Sequence, residues 1–316
     1  MPDERREASD QPTGAGGPAS PDLPSESSGS SGSDGPDLAR RMWEVSERYH
    51  QVCYVAPEVR EAGTEAGLKG FWMNYFATRA APLGPVPPEV VEAVFFYYAP
   101  RRVRRAIPDA WSFSTPERVL EARYRAMDTA LRRELGPLAD GPEIVEAVEL
   151  HRRSLDGADL LGKPLFAGWA GLPEPEAPHL ALWHLTTLQR EYRSGCHLLA
   201  LGAAGLDGCE SVVSHVAVDE APRSWISDEA AWSDDEAAAA VERLVRRGWL
   251  HPDGTASEQG RRERRAIEDA TDRLDRRRWD RLGPDGCDRL HELMGALVAP
   301  LPADDQLDWR EIYGDN

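Results

Sequence analysis

The sequence predicts a mainly α protein with two helical halves of about 120 residues, the second containing a winged helix with a short β-hairpin wing. Three observations predict it. Apolar residues recur at three- and four-residue spacing almost throughout, and alternating strand patterns are nearly absent. Pro, Gly, Ser and Thr stand at the ends of the periodic stretches. One pair, Asp253-Gly254, interrupts the helical pattern between two short extended pieces, the local signature of a tight hairpin.

Residues 1–36 hold 20 Gly, Pro or Ser, seven acids, two arginines and no aromatic residue, a composition that cannot bury enough apolar surface to offset its ordering entropy. They are read as a disordered acidic leader. A helical domain follows at 37–155, with helices expected at 38–52, 69–79, 87–99, 115–135 and 142–155. Pro87 and Pro88 open the third of these; Thr115 and Pro116 open the fourth as cap and first-turn residues, and Gly136 closes it. Residues 156–176 read as a linker. The second domain, 177–299, carries helices at 177–203, 208–218, 233–247, 258–281 and 285–298, and an acidic tail runs over 300–316. Within 233–247, Ser233 and Glu236 form a capping box, and Val241, Leu244, Val245 and Trp249 form the core stripe. Gly248 ends this helix, and Ser257 caps the next.

The chain has 37 Lys and Arg against 55 Asp and Glu, a formal net charge of −18, and only Lys69 and Lys163 are lysines. Leader and tail account for half of that charge, so the body from 37 to 299 keeps −9. No signal peptide and no run of about 20 apolar residues is visible, so a cytoplasmic protein without membrane partners is expected. Cys53, Cys196, Cys209 and Cys287 have neither C-x-x-C nor metal spacing and are expected as reduced thiols.

The pattern Leu244, Gly248, Trp249, Leu250, then a hairpin, then Ser257 and Gly260 resembles the wing region of MarR-type transcriptional regulators over about fifty residues, 233–282. A longer resemblance is to an actinobacterial family of mostly helical, poorly characterised proteins with a MarR-like winged helix-turn-helix half. Its carriers are "YFATRAAPLG" (75–84), "LWHLTTLQREYRSGCHLLALGAAGLDG" (182–208), "WSDDEAAAAVERLVRRGWL" (232–250) and "IEDATDRLDRRRWDRLG" (267–283). The resemblance implies a regulator-like protein and supplies no catalytic residues. An internal duplication is a further reading, since Gly84/Gly205, Glu89/Glu210 and Trp111/Trp232 all lie 121 apart.

The leading expectation is therefore a winged-helix, MarR-like transcriptional regulator or regulator-derived protein, with a response to a ligand as an option and DNA as the partner; its candidate DNA contacts are Arg243, Arg246, Arg247, Arg261, Arg262 and Arg265. Charge argues against it: the helix begins Asp234-Asp235-Glu236, and Ala238 and Ala239 can touch a thymine methyl but cannot hydrogen-bond a base. Glu258–Arg262 and Arg264–Glu268 are expected as intrahelical pairs. The rival class is a small-molecule binding protein or an enzyme without a familiar motif. Its candidate pocket residues are Trp72, Tyr75 and Arg79, an aromatic wall with one cation, and Trp183, His184, Arg190, Arg193 and His197 on one helix. Such a helix serves equally as a core element whose charges pair with neighbouring carboxylates, and a buried Arg79 requires a carboxylate or a ligand. A metal shared by His184 and His197 needs a break at Ser194-Gly195-Cys196, because an unbroken helix parts them by about 20 Å. A tetrapyrrole on one histidine is a remote alternative, and no cofactor or metal is expected. Nucleophile-elbow, zinc-protease, phosphate-loop and dinucleotide motifs are missing, which lowers the odds of an enzyme. Ligand and oligomeric state stay open.

Overall fold

The periodic stretches fold into fourteen α-helices within residues 37–302, the residues that the computed structural model describes. The leader 1–36 and residues 303–316 of the expected tail lie outside them. In chain order the helices are α1 (Asp37–Val55), α2 (Pro57–Glu65), α3 (Gly70–Ala80), α4 (Pro88–Val94), α5 (Pro100–Arg104), α6 (Asp109–Phe113), α7 (Pro116–Leu135), α8 (Pro142–Leu155), α9 (Pro164–Ala170), α10 (Pro178–Ala203), α11 (Gly208–Ala217), α12 (Asp234–Arg246), α13 (Glu258–Asp280) and α14 (Gly283–Val298). The expected caps form: Thr115 Oγ1 accepts from the Arg118 N–H, and Ser233 and Glu236 exchange hydrogen bonds as a capping box.

The expected 87–99 helix stops at Val94, where Phe95 turns to φ −109°, ψ 49°. The run Phe95–Tyr98 explains the break. Phe95, Tyr97 and Tyr98 are all buried, and consecutive bulky rings cannot all reach one core from one face of a helix. Residues 156–176 contain α9, which packs on α10 and buries Phe166 and Trp169. The Trp169 indole N–H donates to the Arg79 carbonyl at 3.2 Å.

α10 is the centre of the molecule. α13, α8, α1, α9 and α7 pack around it, and elements from both expected halves share one hydrophobic cluster. It runs unbroken through Gly195, where a Cβ would lie 2.5 Å from Lys163 Cγ. The glycine therefore admits a neighbouring side chain and does not bend the helix. Among the described residues no single helix is long and apolar enough to cross a membrane; α10 and α11 together pass such a test, but the chain bends by 96° between them.

Two fold expectations are corrected. The described residues contain no strand, and the wing reduces to one antiparallel bridge, Leu250 to Ala256. The reason is length. Gly248, past the end of α12, already accepts a hydrogen bond from Ser257, the cap of α13, nine residues on, and the turn at 252–254 takes the middle of that interval. The duplication is not supported either: α7 has 20 residues where the offset of 121 would place the 13-residue α12 and its turn, and a 3-10 helix at Gly136–Asp140 stands where the second half folds back.

Candidate helix-turn-helix recognition surface

Two helices and a turn build the surface. α11 starts at a capping box in which Asp207 accepts from the Glu210 N–H at 2.7 Å and Glu210 accepts from the Asp207 N–H at 3.0 Å. At its C-terminal end Asp219 takes φ 63°, and a π-turn at Trp225–Glu229 leads into α12. Two glycines allow the close packing: a Cβ on Gly208 would lie 2.1 Å from the Phe96 carbonyl oxygen, and one on Gly260 would lie 2.0 Å from that of Trp249. The start of α12 is pinned to α5, because Arg101 donates to both Glu236 oxygens at 3.0 and 2.5 Å. With the Ser233 hydrogen bonds, this holds the Glu236 carboxyl down at about 2, against the effect of burial.

Beyond α12 the chain folds back through a tight turn. The His251 N–H donates to the Thr255 carbonyl and the Gly254 N–H to the His251 carbonyl, both at 2.9 Å. Asp253 accepts from the Thr255 backbone N–H at 3.0 Å and from its hydroxyl at 2.6 Å. Gly254 supplies the positive φ of 84° that this turn needs.

The six sequence-predicted DNA-contact arginines divide in two. Arg243 faces inward, donating to Glu210 at 2.8 Å and Asp207 at 2.6 Å. Arg247 donates to the Gly205 and Ala204 carbonyls at 2.9 and 2.6 Å, and its guanidinium lies 4.5 Å from the Trp249 ring centroid. These two clamp the α10–α11 turn. Arg246, Arg261, Arg262 and Arg265 are exposed; Arg246 lies 3.9 Å from Glu242 and Arg262 3.3 Å from Glu258. The other intrahelical pair expected on α13, Arg264–Glu268, also forms, but it is buried and Arg264 donates to His215 as well, at 2.9 Å.

Between α11, the π-turn, α12 and the turn lies an open groove of about 1200 Å³. Half-buried Val216, Ile226, Ala237 and Val241 supply its apolar lining. Around them stand Asp219, Glu220, Asp234, Glu242 and Asp253, against Arg223. Sequence reasoning placed acid at the start of α12. It missed the groove, because Asp219 and Asp253 join α12 only through the two turns.

The eight sequence-predicted pocket residues lie elsewhere, and none of them lines this groove. Arg79 Nη2 donates to both Glu191 carboxylate oxygens at 3.0 Å, Nη1 donates to the Tyr75 hydroxyl, and the guanidinium lies 4.6 Å from the Phe95 ring centroid. Arg190 meets Glu47 of α1, and Arg193 meets Asp272 and Asp275 of α13 at 2.7 and 3.5 Å. His197 shares a hydrogen bond with Thr271 at 2.9 Å, and His184 one with Tyr124 at 2.7 Å. Burial pushes His184 down to about 4, so it stays neutral near pH 7. Trp72 carries Arg102 at 4.3 Å, and Trp183 packs edge-on to Trp169 with centroids 6.0 Å apart. Among the described residues no three His, Cys, Asp or Glu side chains are grouped to hold a metal.

α11 and α12 pack on each other across the connection 218–233, and α13 packs against α11; the class of protein comes from the family comparison. A model described as a helix-turn-helix family matches residues 39–307, and the chain belongs to that family. No match was found among curated proteins or among solved structures.

Proposed function

We propose that the chain is a regulator-like protein of MarR-like ancestry whose helix-turn-helix face engages a positively charged partner in place of the DNA backbone. One observation carries this reading. The outer edge of α12 presents Asp234, Asp235, Ala238, Ala239 and Glu242, the adjoining turn adds Asp253, and Arg243 and Arg247 are drawn inward to the α10–α11 turn. DNA affinity depends on cations meeting phosphates, and carboxylates at the face that would enter a groove oppose it. Residues 177–299 are the recognition unit in this reading, braced by 37–155, and the buried arginines of α10 serve the architecture. Such a protein works in the cytoplasm.

DNA binding itself is the second reading, favoured by family membership and by exposed Arg261, Arg262 and Arg265 on the first turns of α13. An electrophoretic mobility shift with genomic fragments at about 50 mM and about 150 mM salt separates the two. The proposal expects no retardation at either salt. Retardation that weakens when Arg261, Arg262 and Arg265 are together changed to Ala overturns it in favour of DNA.

A further inference from the structure

Resting on that reading, we propose that the groove between α11, α12 and the 251–255 turn docks a basic amphipathic helix of a partner protein. Size, lining and charge each select this occupant. The volume of about 1200 Å³ exceeds the roughly 300–1,000 Å³ of sites that enclose small ligands, and the groove is open to solvent. Its apolar side chains come from both walls: Val216 from α11, Ile226 from the π-turn, Ala237 and Val241 from α12. A docked helix presents anchors at i, i+3, i+4 and i+7 to a floor of that kind.

The carboxylates supply the second half of the argument. Asp234 and Glu242 sit on α12, Asp219 and Glu220 stand just beyond α11, and Asp253 lies at the turn. Arginines or lysines flanking the apolar stripe of a docked helix meet carboxylates on both sides, whereas an acidic or neutral helix gains nothing from them. Glu220 also lies 3.4 Å from His215, so Asp219, Asp234, Glu242 and Asp253 are the exposed acids of the rim, four against the exposed Arg223.

Fluorescence anisotropy on the full chain tests this with a labelled 14-residue amphipathic helix of Leu and Arg, and the same peptide with Glu in place of Arg. The Arg peptide binds and the Glu peptide does not. Ala238→Trp, an exposed position that fills the groove, and Glu242→Lys, an exposed rim charge, each weaken binding at least tenfold. Glu292→Lys on α14 leaves it unchanged. Equal binding to the wild type and both groove variants overturns the inference, as does no binding of the Arg peptide, or binding of dodecylammonium alone. The mobility shift keeps the two failures apart: peptide failure without DNA retardation removes the docking helix only, and DNA retardation removes the underlying reading.

Discussion

Arg79 of α3 and Glu191 of α10, 112 residues apart in sequence, meet in the core as a buried pair in which Arg79 Nη2 lies 3.0 Å from both carboxylate oxygens and Nε 3.1 Å from one of them. The guanidinium also lies against the Tyr75 and Phe95 rings. A buried cation that loses its counter-charge is costly, by about 3–5 kcal/mol. Glu191→Gln is therefore expected to destabilise by that amount in urea unfolding, and Arg79→Leu with Glu191→Leu to recover most of it. Equal losses in the single and double variants would show that shape matters here and charge does not.

Gly260 faces the Trp249 carbonyl with no room for a methyl group. A backbone oxygen cannot swing aside as a side chain can, so Gly260→Ala should cost about 3 kcal/mol through overpacking. Thermal unfolding followed by circular dichroism reads the loss; a variant as stable as the parent contradicts the close approach of α13 to the turn.

Arg243 and Arg246 stand one turn apart on α12 with different duties. Arg243 closes the α11 capping box from outside, while Arg246 reaches into solvent. Arg243→Ala should cost about 1 kcal/mol, a modest figure for a partly solvated pair, and Arg246→Ala should stay within about 0.5 kcal/mol. The urea midpoints of the two variants check the order.

Stability should fall on acidification below neutrality. Burial pushes His184 down to about 4 and His151 to about 3, so each is neutral when folded and gains a proton on unfolding once the pH drops below its ordinary value of 6.5. The unfolded chain then binds more protons, and stability decreases by about 1.4 kcal/mol per histidine for each pH unit below 6.5, until the folded values are reached. Glu268, held down at about 2 by His197, Arg264 and Arg193 against burial, adds a loss in the same direction below about pH 4.5. Unfolding midpoints that stay level from pH 7.5 to 5 contradict neutral buried histidines.

Most long helices were legible because caps and periodicity agree, as at Thr115, Ser233 and Ser257, each of which accepts the expected backbone hydrogen bond. α2, α5, α6 and α9 are not legible in the sequence. They are short, from five to nine residues, and α2 and α9 owe their form to packing on α7 and α10. The wing departs from expectation for the opposite reason: Asp253-Gly254 does specify a reversal, but pairing length depends on where the flanking helices end. Candidate residues fared likewise. The charges of α10 were visible, and their partners Glu47, Asp272 and Asp275 belong to helices that sequence spacing cannot orient. The groove was the least legible feature, since three separated segments make it.

The central place of α10 also bears on how the protein comes to be made. Its Arg190 is matched by Glu47, 143 residues upstream, and its Arg193 by Asp272 and Asp275, near the far end of the folded body. While the ribosome is still adding α11 and α12, the nascent chain holds a helix with one cation satisfied and the other waiting. Closure of the interior must therefore follow translation of α13, and a product that ends before Asp272 is expected to stay open to chaperones and proteases.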